Sequence, residues 1–130
     1  MKAVRRAMPV VFTEDPAGSR AFYEGLLGFT VAMAQPGFLM LKSPSVPTTQ
    51  VILAWADPDI MDPQVHRVDI STEVADAAAA HADALARGLD IVYPLTDEPW
   101  GVRRFFVREP SGTVVNVASH IADAGRPASA

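Results

Sequence analysis

The chain has 130 residues, 49% of them hydrophobic, a formal net charge of −4 and no cysteine. This is the makeup of a single globular domain able to bury about two thirds of its surface, and it excludes a disulfide scaffold, a thiolate metal site and a thiol nucleophile. Eleven basic residues against 15 acidic ones, none in a long run, argue against a nucleic-acid partner. No apolar run is long enough to cross a bilayer, and the opening MKAVRR lacks the apolar segment of a secretion signal, so no membrane contact and a cytoplasmic location are expected.

In chain order, residues 4–13 read as a strand. Asp15-Pro16 then supplies an N-cap and a proline at the first helical position, where its missing N–H costs nothing. Along the helix 16–27, Phe22, Tyr23, Leu26 and Leu27 form one apolar stripe expected to pack on a sheet, and Gly28 is placed for the left-handed cap. Three short strands follow at 29–33, 38–42 and 50–55, separated by Gln35-Pro36-Gly37 and by the proline-bearing stretch 43–49. After an Asp/Pro-rich loop, residues 66–74 alternate with period two: Val68, Ile70 and Val74 on one side, Asp69, Ser71 and Glu73 on the other. Asp76 can cap a second helix, 77–87, ended by Gly88. Residues 89–93 read as a strand, and a strong hairpin closes the set: Arg104–Val107, the turn Glu109-Pro110-Ser111-Gly112, and Thr113–Val117.

The chain thus reads twice as strand, helix, three strands. Module 1 covers about 4–56, module 2 about 66–120, and 121–130 is a tail of small residues, all within one domain spanning 1–130. The predicted class is α+β: two paired βαβββ modules forming a curved mixed sheet, helices on the convex face and a concave ligand cleft.

Two stretches carry a resemblance. FTEDPAGSRAFYEGLLGFTV near the start and PWGVRRFFVREPSGTVVNV near the end resemble the signatures of the glyoxalase, bleomycin-resistance and extradiol-dioxygenase superfamily, the vicinal oxygen chelate proteins. Glu109 replaces the aspartate more common in its turn. The resemblance implies the paired-module fold, a small-molecule ligand and a homodimer. It also implies that catalytic members place metal ligands on the first and last strands of each module. Here those positions map to Met8, Ile52, Asp69 and Asn116. One carboxylate and one amide beside Met and Ile do not make the three or four N/O ligands a divalent cation needs, so a site without metal or other cofactor is expected.

His66, His81 and His120 sit at a strand start, mid-helix and a strand end, and are read as structural or solvent-facing. Arg104, Phe106 and Arg108 share one face of their strand and Phe105 and Val107 the other; the resemblance implies that the first set faces the ligand cleft and the second the helix. Two roles are open for Arg104: recognition of an anion through its fork, or a cross-sheet pair with Asp69 or Glu73. Trp100, in Glu98-Pro99-Trp100-Gly101, is either a stacking wall or a plug over the sheet, and Trp55 is assigned to core or dimer packing. Met8, Val10, Phe12, Gln50, Ile52 and Phe106, with the polar points Asp69, Glu73, Arg104 and Asn116, would line a mainly apolar cavity or else a packed centre. No nucleophile motif is present; only Asp69 and Glu73 are open as catalytic bases. The expected function is metal-independent binding of an antibiotic or other aromatic compound, and the acidic balance suits a cationic one. The alternative is an enzyme of the same superfamily, a lyase, isomerase or dioxygenase, using a divalent metal or a carboxylate base.

Overall fold

The computed structural model describes residues 4–57 and 67–123. Their elements are β1 (Val4–Phe12), α1 (Pro16–Leu27), β2 (Thr30–Gln35), β3 (Phe38–Lys42), β4 (Gln50–Ala54), β5 (Ile70–Val74), α2 (Ala77–Ala86), β6 (Asp90–Asp97), β7 (Val102–Arg108) and β8 (Val114–His120). This is the α+β class with two βαβββ modules. The chain forms two compact units, Met8–Asp69 and Ile70–Ala130 with Met1–Ala7. His66 lies outside the described residues.

In the first unit the strand order is β2-β3-β4-β1. Both hairpin partners are antiparallel, and β1 closes on β4 in parallel with Val10 beside Ile52. The Pro36-Gly37 turn joins β2 to β3, with Gly37 at φ +73° supplying the left-handed residue the tight reversal requires. Helix α1 starts where Asp15 accepts from Gly18 N and stops at Gly28, whose φ is +74°. Its core is Leu39, Leu41, Val51 and Leu53, with Val11, Tyr23, Phe29, Val31 and Trp55 packed around them.

The α1 stripe departs from expectation. Tyr23 reaches the core, but Phe22, Leu26 and Leu27 are 52%, 69% and 55% exposed. Of the stripe, only Tyr23 packs against the core cluster, so an apolar face of the helix is left uncovered within this unit.

In the second unit the order is β5-β8-β7-β6, with β5 and β8 parallel and β8, β7 and β6 antiparallel. Asp76 caps α2 by accepting from Ala79 N, Ser119 Oγ accepts from Ala77 N, and Gly88 takes φ +69°. Phe105 faces α2, its ring 5.1 Å from that of His81. His81 is therefore half-buried against the core rather than turned to solvent. Strand β5 is shorter than the 66–74 alternation suggested: it begins at Ile70, which is 37% exposed, while the polar Ser71 beside it is buried.

Candidate ligand site

The two modules can be compared position by position, because each closes the same way. In the first unit one cross-strand row reads Val10, Ile52, Met40, Met33. The equivalent row of the second unit reads Ser71, Asn116, Phe106, Tyr93. The next row is Phe12, Ala54, Phe38, Gln35 in the first and Glu73, Ala118, Arg104, Thr96 in the second. Ile52 and Asn116 thus hold matching places, as the sequence register implied. Both rows face away from their unit's helix. The first unit's rows are apolar except for Gln35 on the outer strand; the second's carry the charged and hydrogen-bonding groups.

Arg104 organises the second row. Its Nε donates to Glu98 Oε2 at 2.6 Å, and the two side chains are only 7% and 9% exposed. Tyr93 OH donates to the same oxygen at 3.0 Å. The guanidinium carbon sits 5.4 Å from the Tyr93 ring centre, 5.4 Å from Trp100 and 5.0 Å from Phe106, within reach of the attraction between a cation and a ring face. Tyr93 and Phe106 themselves stack at 4.7 Å. Trp100 rides on the turn Glu98–Val102, held by Glu98 N to Val102 O at 2.7 Å and Gly101 N to Glu98 O at 3.1 Å. The Glu98 carboxylate therefore neutralises Arg104 and anchors the loop that carries Trp100. Neither Tyr93 nor Glu98 is singled out by the sequence; Glu98, two residues before Trp100 in the same loop, was the available signal.

Beside this cluster, Asn116 Nδ2 donates to Ser71 Oγ at 3.0 Å. Asn116 is 9% exposed, and its Oδ1 is buried without a hydrogen-bond partner. A buried acceptor left unsatisfied costs roughly 1–3 kcal/mol. Glu73 accepts from Arg6 Nε at 2.6 Å and lies 3.8 Å from Arg5. With Ala118 between Glu73 and Arg104 in the row, the floor there carries only a methyl group. Sheet geometry sets the two charged side chains about 10 Å apart, two strand spacings.

The remaining predicted residues fall as follows. Met8 and Ile52 are buried and Phe12 is exposed; Val10 is half-buried. Gln50 turns its Nε2 to Pro47 O at 2.8 Å. Asp69 precedes β5 and its carbonyl accepts from Val10 N at 2.9 Å. Trp55 packs on the first unit's core. Trp100 lies against Arg104 and is 43% exposed. His120 ends β8 at the surface.

The donors do not fit the divalent cation that the superfamily's catalytic members use. In this unit they are a neutral amide oxygen, a neutral hydroxyl and a glutamate engaged by arginine. Among the described residues no three His, Asp or Glu side chains converge, whereas such a cation needs at least three N/O donors with net negative charge.

A family model described as Glyoxalase/Bleomycin resistance protein/Dioxygenase superfamily matches residues 5–117. The chain belongs to that superfamily. A superfamily member from Vibrio splendidus 12B01 superposes with a TM-score of 0.66 at 18% identity, over 90% of this chain and 99% of the other. Methylmalonyl-CoA epimerase from Mycobacterium tuberculosis gives 0.63 at 16% identity, over 90% and 87%. The corresponding Streptomyces coelicolor epimerase gives 0.60 at 19%, over 90% and 96%. At such identities the likeness is one of fold. No curated protein matches the sequence. No helix among the described residues is long and apolar enough to span a membrane.

Proposed function

We propose that this superfamily member is a metal-independent binding protein that sequesters a small aromatic compound, such as an antibiotic, against the helix-free face of its second module. Asn116 carries the reading. At the position where catalytic relatives need an anionic ligand it presents a neutral amide whose nitrogen is already engaged by Ser71 and whose oxygen awaits a donor. A ligand N–H or O–H reaching that oxygen would remove the cost of leaving it unpaired. Near it, the part-exposed Trp100 offers a ring face for stacking, backed by Arg104 and the buried Phe106.

Catalysis by a carboxylate base is less well supported. Glu73 Oε1 is engaged by Arg6, and Glu98 Oε2 by both Arg104 and Tyr93, so one oxygen of each carboxylate already serves an ion pair. We also read the protein as a homodimer, because Phe22 and Leu26, one helical turn apart, leave an apolar strip of α1 exposed.

The test is a panel of aromatic compounds titrated against Trp55→Phe protein, in which Trp100 is the remaining tryptophan. Saturable fluorescence change is expected. Asn116→Leu should weaken donor-bearing ligands about tenfold and leave their O- or N-methylated analogues unchanged, about 1.4 kcal/mol for one hydrogen bond. Equal affinity of Trp100→Ala protein, measured calorimetrically, would remove the stacking role.

A further inference from the structure

The first unit holds a feature that the reading above does not use: an open pocket of about 460 Å³ lined by Pro16, Ala17, Arg20, Ala34, Gln35, Phe38, Leu39 and Trp55. We propose that it is a separate binding site for a small aromatic carboxylate. Its volume falls in the range of small-molecule sites, about 300–1,000 Å³, and a single substituted ring fills only part of it.

Its two aromatic residues, Phe38 and Trp55, meet at the Pro36-Gly37 turn. Phe38 follows the Pro36-Gly37 turn, and Trp55 N donates to Gly37 O at 3.1 Å, so the same turn positions both rings. Trp55 is further held by packing on the buried cluster of Leu39 and Leu53. These walls are therefore in place before any ligand arrives, which lowers the ordering cost of binding. Pro16, Ala17, Ala34 and Leu39 add apolar surface without filling the space.

The polar lining sets the ligand's charge. Among the described residues, Arg20 and Gln35 are its polar side chains and no carboxylate lines the pocket. Arg20 donates through Nε to Glu24 Oε1 at 2.8 Å, which leaves the two terminal nitrogens of the fork for a second carboxylate. Gln35 Nε2 has only a long contact of 3.9 Å to Met33 Sδ, a weak acceptor, so its N–H groups can turn to a ligand. The free terminal N–H groups of Arg20 and those of Gln35 favour a carboxylate over an amine, in competition with Glu24, and the flanking rings favour an aromatic body. Because Glu24 competes for the same guanidinium, removing its charge should strengthen the ligand's hold.

The protein has two tryptophans, one in this pocket and one on the other module, so each can be read alone. In Trp100→Phe protein, 4-nitrobenzoate, a contact quencher, is expected to quench Trp55 saturably. Its neutral isostere 4-nitrobenzamide should bind at least fivefold more weakly. Arg20→Gln should reduce that preference below twofold, and Glu24→Gln should tighten the carboxylate two- to fivefold, both with an unchanged circular dichroism spectrum. Quenching that rises linearly without saturation, equal binding of acid and amide, or indifference to Arg20→Gln would each overturn the proposal. Trp55→Phe protein, which reports only Trp100, separates this outcome from that of the second-module site.

Discussion

Individual side chains settle their roles here by which partner they meet. Arg104 is the clearest case: a guanidinium with so little exposure requires a counter-charge, and Glu98 supplies it at 2.6 Å. Removing one partner of a buried pair leaves a charge that must be desolvated alone. Glu98→Ala is therefore expected to destabilise the fold by about 3 kcal/mol and to shift Trp100 emission, read by denaturant titration and fluorescence. At the surface, the same chemistry has a smaller consequence. Asp97 accepts two hydrogen bonds from Arg103, at 2.6 and 3.0 Å, and the hydrogen bond from Arg103 holds its carboxyl below the usual aspartate range. A depressed folded value means that the pair's contribution is present above the unfolded value, about pH 4, and fades as pH falls through the lower folded one. A carbon-detected NMR titration should place the Asp97 midpoint below that of an aspartate in an unstructured peptide, and Arg103→Gln should bring it back.

At the scale of elements, the caps show how local chemistry sets boundaries. Gly28 ends α1 at φ +74°, and a Cβ there would meet nothing within 4 Å. Its requirement is therefore conformational rather than steric. Gly28→Ala should cost about 1 kcal/mol through the left-handed backbone alone. Gly25, inside the same helix and equally open, should behave oppositely, gaining up to about 1 kcal/mol on substitution by alanine. Opposite shifts in melting temperature from two glycines three residues apart would separate these effects. The hairpin of β7 and β8 shows element-level economy as well. Alternation along β7 sends Phe105 to α2 and Phe106 to the helix-free face, both essentially buried.

For the molecule as a whole, the two modules share a topology and a register but not a chemistry. Equivalent rows are apolar in the first except for Gln35, and carry charged and hydrogen-bonding groups in the second. With Ile52 and Asn116 at matching places, neither module offers an anionic oxygen on its last strand. Protein purified without chelator and dialysed is thus expected to carry well under one equivalent of zinc, nickel, manganese or iron by elemental analysis. Stoichiometric metal would favour the enzyme reading. Sedimentation should give twice the chain mass if the exposed strip of α1 pairs, and Leu26→Ser should then shift the equilibrium towards monomer.

Much of this was legible in the sequence wherever the determining interactions are short in range. Asp15 and Asp76 as caps, Gly28 and Gly88 as terminators, the Pro36-Gly37 turn and the sides taken by Phe105 and Phe106 follow from backbone sterics and alternation within a few residues. The two-module plan and the equivalence of Ile52 with Asn116 follow from the same local punctuation repeated. Tertiary structure alone decided the partners: Glu98 for Arg104, Arg6 for Glu73, 67 residues away, and Ser71 for Asn116, 45 away. It also decided which positions of the α1 stripe are covered, since periodicity marks an apolar face but not the breadth of what packs on it. Composition and periodicity describe what each side chain prefers; only the closing of β5 on β8 brings Ser71 to the Asn116 amide and leaves its carbonyl oxygen unpaired.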